Sequence, residues 1–302
     1  MIMKKSWVHL KFNEFVSNHC QPDNPLIHLC MLKGQDMALA HNLGFPRIGG
    51  NRELRARHWQ VQKDAGIELL PVGDFAWLDQ PFDLGWAQLF DEVAQAKALG
   101  HAVKPVVIGP LTYLWQGENN DGTDKLERLE TLLPLYDQYL NRLAALGVEW
   151  VQIDEPILAE DLPQDWKNAF ERVYNILQRA PLKKLIATYS GGLGGNLGLA
   201  ANLPVDGLHI DLVQAPDQYV TILDRLPAYK VLSLGLVDGV NPAPCNLGQT
   251  LDLLYDAHER LGERLWLAPS CALLHCPLDL AAQKCQEVAV LAAALEQNRA
   301  AA

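Results

Sequence analysis

Eight short apolar runs, each followed by a stretch with helical periodicity, constrain this chain more than any other feature. The candidate strands are 43–48, 67–74, 103–109, 148–154, 183–189, 207–213, 229–236 and 264–271. Their starts recur at a mean interval of roughly 32 residues, about the length of one βα unit. Helical patterns fill the gaps: 53–65, 86–99, 126–146, 164–178, 217–226, 249–261 and 278–297. Gly100, Gly147 and Gly262 stand where C-terminal caps are expected. The stretch Gly191 to Ala201 is poorer, with five glycines, and reads as one distorted turn. Eight alternations predict a single α/β barrel of the (β/α)8 TIM type over residues 43–302. A doubly wound open sheet is the competing architecture. Residues 1–42 carry no clear pattern and read as an extension ahead of the barrel.

Catalytic groups of such barrels sit at the C-terminal strand ends. That rule selects Arg47, Asp74, Gly109-Pro110, Asp154-Glu155, Tyr189-Ser190, Asp211, Asp238 and Ser270-Cys271. The run Gly147-Val148-Glu149-Trp150-Val151-Gln152-Ile153-Asp154-Glu155-Pro156 is the most informative. Successive strand residues point to opposite faces. Asp154 and Glu155 therefore cannot share one space: one turns into the barrel or cleft while the other braces a loop. A structural cap is the alternative role for both.

Composition narrows the partners. The 302 residues are 49% hydrophobic and 20% charged, with a net charge of −11. That balance suits a globular protein with a sizeable core and argues against nucleic acid or an anionic membrane as the main partner. An anionic ligand needs a local basic patch. No apolar run approaches ~20 residues, so no membrane span is expected, and no signal-peptide core follows the first lysines. Cysteines 20, 30, 245, 271, 276 and 285 form no CxxC pair and read as reduced thiols of a cytoplasmic protein.

Several motifs in order resemble the N-terminal half of cobalamin-independent methionine synthase. They are LGFPRIG (43–49), RELRARHW (52–59), GIELLPVGDFAW (66–77), KPVVIGPLTYLW (104–115), GVEWVQIDEPIL (147–158), GLHIDLV (207–213) and SCALLHCPLDL (270–280). The resemblance runs from Leu43 to about Leu295. It implies one of two duplicated (β/α)8 barrels in a methyltransferase of methionine biosynthesis. That enzyme moves a methyl group from 5-methyltetrahydropteroyltriglutamate to homocysteine. The family's zinc, which activates the homocysteine thiol, belongs to the C-terminal barrel, and the N-terminal barrel helps hold the folate and its glutamate tail. The resemblance thus implies no cofactor in this chain, no catalytic residue of its own, and a separate zinc-bearing barrel as a partner.

The places matching the family's zinc set are Tyr189, Gly191, Asp211 and Cys271, which do not make a zinc site. Cys271, His275 and Cys276 lie close in sequence but lack ligand spacing. The resemblance assigns Arg52, Glu53, Leu54 and Arg55 to the glutamate tail, with weak folate binding, and Asp154 to substrate. A solvated helix face paired with Glu53 and Asp64 is the competing reading for the arginines, and a structural relic of duplication for Asp154. Arg47, Arg57 and Lys63 add positive charge nearby. Trp59, Trp77 and Trp115 offer rings for a pterin, against plain core packing. The chain departs from the family by compression between Gly50 and His58 and by missing segments after Asp79 and near Ala282. Beside the folate-side half, two readings remain open: a non-catalytic binding or regulatory barrel, and a carboxylate-dependent hydrolase pairing Asp154 with Asp211 or Asp238.

Overall fold

The computed structural model describes residues 38–46, 51–73, 82–118 and 122–300. Within residues 1–42 only 38–42 are described; Cys20, Cys30, Arg47, Asp74 and Trp77 also lie outside the described residues. Eight parallel strands carry the fold: β1 (Leu39–Ala40), β2 (Leu70–Val72), β3 (Val103–Ile108), β4 (Trp150–Asp154), β5 (Lys183–Ala187), β6 (Gly207–Asp211), β7 (Val231–Val237) and β8 (Leu265–Pro269). Their order is β1-β8-β7-β6-β5-β4-β3-β2. A parallel bridge between His41 and Leu69, with Glu68 N–H donating to Ala40 O at 2.9 Å, joins the two ends into a ring. The fold is the anticipated TIM-type barrel.

Around it stand α1 (Arg52–Asp64), α2 (Phe82–Ala98), α3 (Pro110–Gln116), α4 (Leu129–Ala145), α5 (Gln164–Leu177), α6 (Leu197–Asn202), α7 (Gln218–Arg225), α8 (Leu247–Leu261) and α9 (Leu278–Ala300). Among the described residues no helix is long and apolar enough to cross a membrane. Helix amphipathicity explains the outer layer. On α5, Ala169, Phe170, Val173, Tyr174 and Leu177 are buried at helical spacing against the sheet's outer face. Gly147, at φ +72°, lets the chain reverse after α4 into β4.

The first strand corrects the sequence reading. It is Leu39–Ala40, not 43–48, so the barrel starts before Leu43. Ala38, Leu39 and Ala40 include no β-branched residue and favour helix locally, which hides the strand. Gly44 and Pro46 cannot sustain a ladder in 43–48. That segment instead leaves the end of β1, where Leu43 O accepts from Gln152 Nε2 at 2.9 Å and Gly44 O from Leu273 N–H at 3.0 Å. The glycine-rich stretch also holds more order than one turn, because α6 forms within it.

The barrel interior is built in tiers. Leu69, Trp150, Leu185 and Trp266 make an apolar floor, and Leu43, Ala187 and Ala268 pack nearer the C-terminal ends. Beyond the floor, several inward positions are polar: His41, Gln152, His209 and Ser233 are all fully buried, as is Lys104. Most buried polar groups are bonded. Ser233 Oγ accordingly lies 2.7 Å from His41 Nε2 and 2.8 Å from His209 Nδ1. Burial, with Lys104 nearby, pushes the His209 imidazole down to about 3 and also lowers His41. Both rings are therefore neutral at pH 7, and one hydroxyl serves both.

Candidate functional site

The mouth of the barrel is organised by the end of β4. Trp150, Gln152 and Asp154 take the inner face, while Val151, Ile153 and Glu155 take the outer one. The alternation expected from the sequence therefore separates the two carboxylates. Gln152 Nε2 donates to Asp154 Oδ1 at 2.7 Å, and Tyr189 OH donates to Asp154 Oδ2 at 3.1 Å. The other end of the Gln152 amide accepts from Lys104 Nζ, which also donates to Asn42 O at 3.2 Å. Gln152 thus bridges a buried ammonium to a carboxylate at the mouth. Neither charge stands alone inside the protein, which would cost several kcal/mol.

Glu155 is the brace. Oε2 accepts from Thr112 N–H at 2.8 Å and Thr112 Oγ1 at 2.5 Å; Oε1 accepts from Tyr174 OH at 2.9 Å and Leu111 N–H at 3.3 Å. These bonds tie the first turn of α3, and α5 through Tyr174, to the end of β4. The carboxylate lies so close to Gly109 that a Cβ there would sit 2.0 Å from Cδ of Glu155, so the turn into α3 admits only glycine. Burial raises the Glu155 carboxyl to about 7, against the opposing pull of Thr112, Tyr174 and Leu111.

The rim from β5 to β8 carries Tyr189, Asp211, Asp238 and Cys271. Ser190 has φ +69°, in the left-handed region that a side chain rarely adopts, and Gly191 follows at φ +141°. Asp211 is buried, and its Oδ1 accepts from Val213 N–H at 2.9 Å and Gln214 N–H at 3.0 Å. Burial raises its carboxyl, opposed by the N–H groups of Gln214, Val213 and Gly191; Asp238 raises it further. Burial pushes the Cys271 thiol up to about 11. These residues do not fit zinc. Tyr189 keeps its proton and donates a hydrogen bond to Asp154, Gly191 has no side chain, and the thiol is neutral at pH 7. Among the described residues no three His, Cys, Asp or Glu side chains gather in metal-binding geometry.

The arginines assigned to the glutamate tail lie on the first turn of α1. Asn51 caps that helix, its Oδ1 accepting from Leu54 N–H at 2.8 Å, and Glu53 is exposed in the first turn. Arg52 and Arg55 then part ways. The Arg52 side chain is 70% exposed and bonds Asp91 Oδ1 at 2.5 Å. The Arg55 side chain is only 6% exposed and is held by α2. Its guanidinium reaches Asp91 Oδ2 at 3.1 Å, Glu92 Oε1 at 3.3 Å and Gln95 Oε1 at 3.2 Å. Neither arginine pairs with Glu53 or Asp64 as the solvated-face reading expects; Asp64 accepts instead from Gln60 at 2.7 Å. Sequence reasoning missed the α2 partners because Asp91, Glu92 and Gln95 lie about 40 positions away. Trp59 is buried in the core, and half-buried Trp115 packs edge-on against Trp166, centroids 4.7 Å apart.

Three comparisons bear on this geometry. The chain shares its fold with a B12-independent methionine synthase from Shewanella sp. W3-18-1 determined in complex with selenomethionine: 12% identity, 88% of this chain and 100% of that one covered, TM-score 0.68. A methyltransferase from Methanosarcina mazei matches at 14% identity over 91% of this chain and 97% of that one, TM-score 0.63. A fungal beta-1,4-galactanase matches at 10% identity over 83% and 99%, TM-score 0.52. Such likenesses establish the barrel and leave the chemistry open. The family model described as "Cobalamin-independent synthase, N-terminal domain" matches residues 79–262, more than half of the chain. Residues 79–262 take in β3 to β7 and the Asp154–Glu155 strand end, and on that match the chain belongs to the cobalamin-independent synthase family, as its N-terminal domain.

Proposed function

We propose that this chain is the folate-side half of a cobalamin-independent methionine synthase. In this reading it receives 5-methyltetrahydropteroyltriglutamate, and a zinc-bearing C-terminal barrel on another chain activates homocysteine and accepts the methyl group. The observation that carries the reading is the family match over residues 79–262. The rim supports the division of labour: a protonated phenol, a glycine and a neutral thiol stand where the resemblance would put zinc ligands. No step of the reaction is therefore routed through a metal in this chain. The free Cys245, Cys271, Cys276 and Cys285 are compatible with a cytoplasmic location.

Asp154, fixed at the mouth by Gln152 and Tyr189, is the group we assign to substrate in this barrel. For the glutamate tail we assign Arg52, whose guanidinium is exposed, with Glu53 and Leu54 setting the helix turn that presents it. Arg55 acts through structure, anchoring that turn to α2. A tail carboxylate has to displace Asp91 from Arg52, so binding is weak. In calorimetry, folate triglutamate is expected to bind this chain measurably, and Arg52→Ala to weaken it by about fivefold, the loss of one exposed charge-assisted bond. Unchanged affinity in the variant removes Arg52 from the site. No binding by the unmodified chain contradicts the folate-side reading itself.

A further inference from the structure

One buried oxygen on the rim is left without a donor. Asp211 is 1% exposed, yet its Oδ2 has no hydrogen-bond partner, while Oδ1 takes both nearby backbone bonds. The N–H of Gly191 also acts on the carboxyl and favours its charged form, as those of Gln214 and Val213 do. Leaving a buried acceptor unbonded costs about 1–3 kcal/mol, and native proteins keep few such groups.

Among the described residues no positive side chain acts on it. Asp211 follows His209 at the two-residue spacing of the inner face, so it lies on the barrel side of β6. The charged side chain acting on it is Asp238, another acid, whose Oδ1 is taken by Val240 N–H at 2.9 Å and Asn241 N–H at 3.1 Å. Cys271, at the end of β8, feels both acids and carries a proton at pH 7. The β5 loop closes on this corner in a strained form, with Ser190 at φ +69°. That conformation costs a non-glycine residue about 1–2 kcal/mol, and strained residues cluster at functional sites. Gly192 is pressed so close to the loop after β6 that a Cβ would lie 2.8 Å from Cβ of Ala215.

Two acids, a neutral thiol and an unfilled acceptor call for a ligand group that brings positive charge and N–H donors together. We propose that the rim between β5 and β8 binds the primary ammonium group of a small ligand, with Asp211 Oδ2 as its acceptor and Asp238 as the second charge. A metal ion is a poorer match, since no third ligand side chain converges with the two acids among the described residues. The inference does not rest on the folate-side reading, whose tail ligand is recognised by its carboxylates.

The test is an NMR titration of the full-length, 15N-labelled chain with n-butylammonium chloride, following the amides of Gly191, Gly192 and Gly239. Saturable shifts with a millimolar midpoint are expected. Tetramethylammonium chloride has the charge but no N–H and is expected to bind at least about tenfold more weakly. Asp211→Asn keeps the acceptor for Val213 and Gln214, so it should fold, and it is expected to weaken butylammonium by about tenfold or more. No saturable shift, equal binding by tetramethylammonium, or undiminished binding in the variant overturns the proposal. So does stoichiometric binding of zinc or magnesium chloride at the same amides. If circular dichroism shows Asp211→Asn unfolded, Asp238→Asn takes its place, with a several-fold loss expected and an unchanged midpoint overturning the assignment.

Discussion

Arg55→Ala is expected to cost about 3–5 kcal/mol of folding stability, the range for removing one partner of a buried ion pair. The Arg55 guanidinium reaches two carboxylates and one amide of α2 through Nε, Nη1 and Nη2, and its side chain is 6% exposed. Truncation leaves Glu92, fully buried, and Asp91 without that charge. It also opens a gap between α1 and α2 that the neighbouring helices cannot fill without moving. Arg55→Lys should recover only part of the loss, because an ammonium cannot reproduce a planar fork. Arg52 supplies the control. It bonds the same Asp91 but is 70% exposed, so Arg52→Ala should change stability by no more than about 1 kcal/mol. Urea unfolding of the three variants measures the difference. Equal, small losses at both positions would mean that Arg55 is not the anchor of α1.

Glu155→Gln should remove a pH dependence of stability of about 3 kcal/mol, the size set by a carboxyl raised from its ordinary 4.5 to about 7. The sign follows from proton binding. Between those two values the folded protein holds a proton on Glu155 that the unfolded chain has released, so stability falls as pH rises. Below the lower value both states are protonated and stability is at its highest; above the upper value the cost of the buried charge is fully present. The protonated carboxyl can donate to Tyr174 Oη or Thr112 Oγ1, both already within 2.9 Å of it. Glutamine carries one acceptor and no charge, so the variant should lose this slope while the other titrating groups keep theirs. Unfolding free energies at pH 4.5 and 7.5, for both proteins, give the comparison. An unchanged difference between the two pH values would show that the brace is ionised in the same way in both states.

Much of this was legible in the residues. Seven of the eight strands lie where apolar runs bounded by glycine and proline put them, because sheet and helix periods differ enough to separate by eye. The eighth was not legible, since Ala38-Leu39-Ala40-His41 has the composition of a helix and becomes a strand only by bridging β8 and Leu69. The split between Asp154 and Glu155 was also legible, because alternation along a strand is fixed by backbone geometry. What alternation does not give is the partner. The donors to Glu155 come from Leu111, Thr112 and Tyr174, on two different helices, and nothing local to 154–155 announces them. Lys104 illustrates the same limit: lysine in a strand ordinarily reads as solvated, yet here it lies buried against Gln152 and Asn42. Motif resemblance assigns Arg55 to a ligand, and only the packing of α2 reveals that its guanidinium is already engaged.

The central claim is that this barrel serves methyl transfer as a binding half and does not perform it alone. The direct measurement is methionine formation from homocysteine and 5-methyltetrahydropteroyltriglutamate, in the presence of zinc chloride, by the purified chain alone and after addition of a zinc-bearing C-terminal barrel. The account predicts no methionine above background from the chain alone and turnover once the second barrel is present, reduced when Arg52→Ala replaces the unmodified chain. Methionine made by this chain unaided would contradict it.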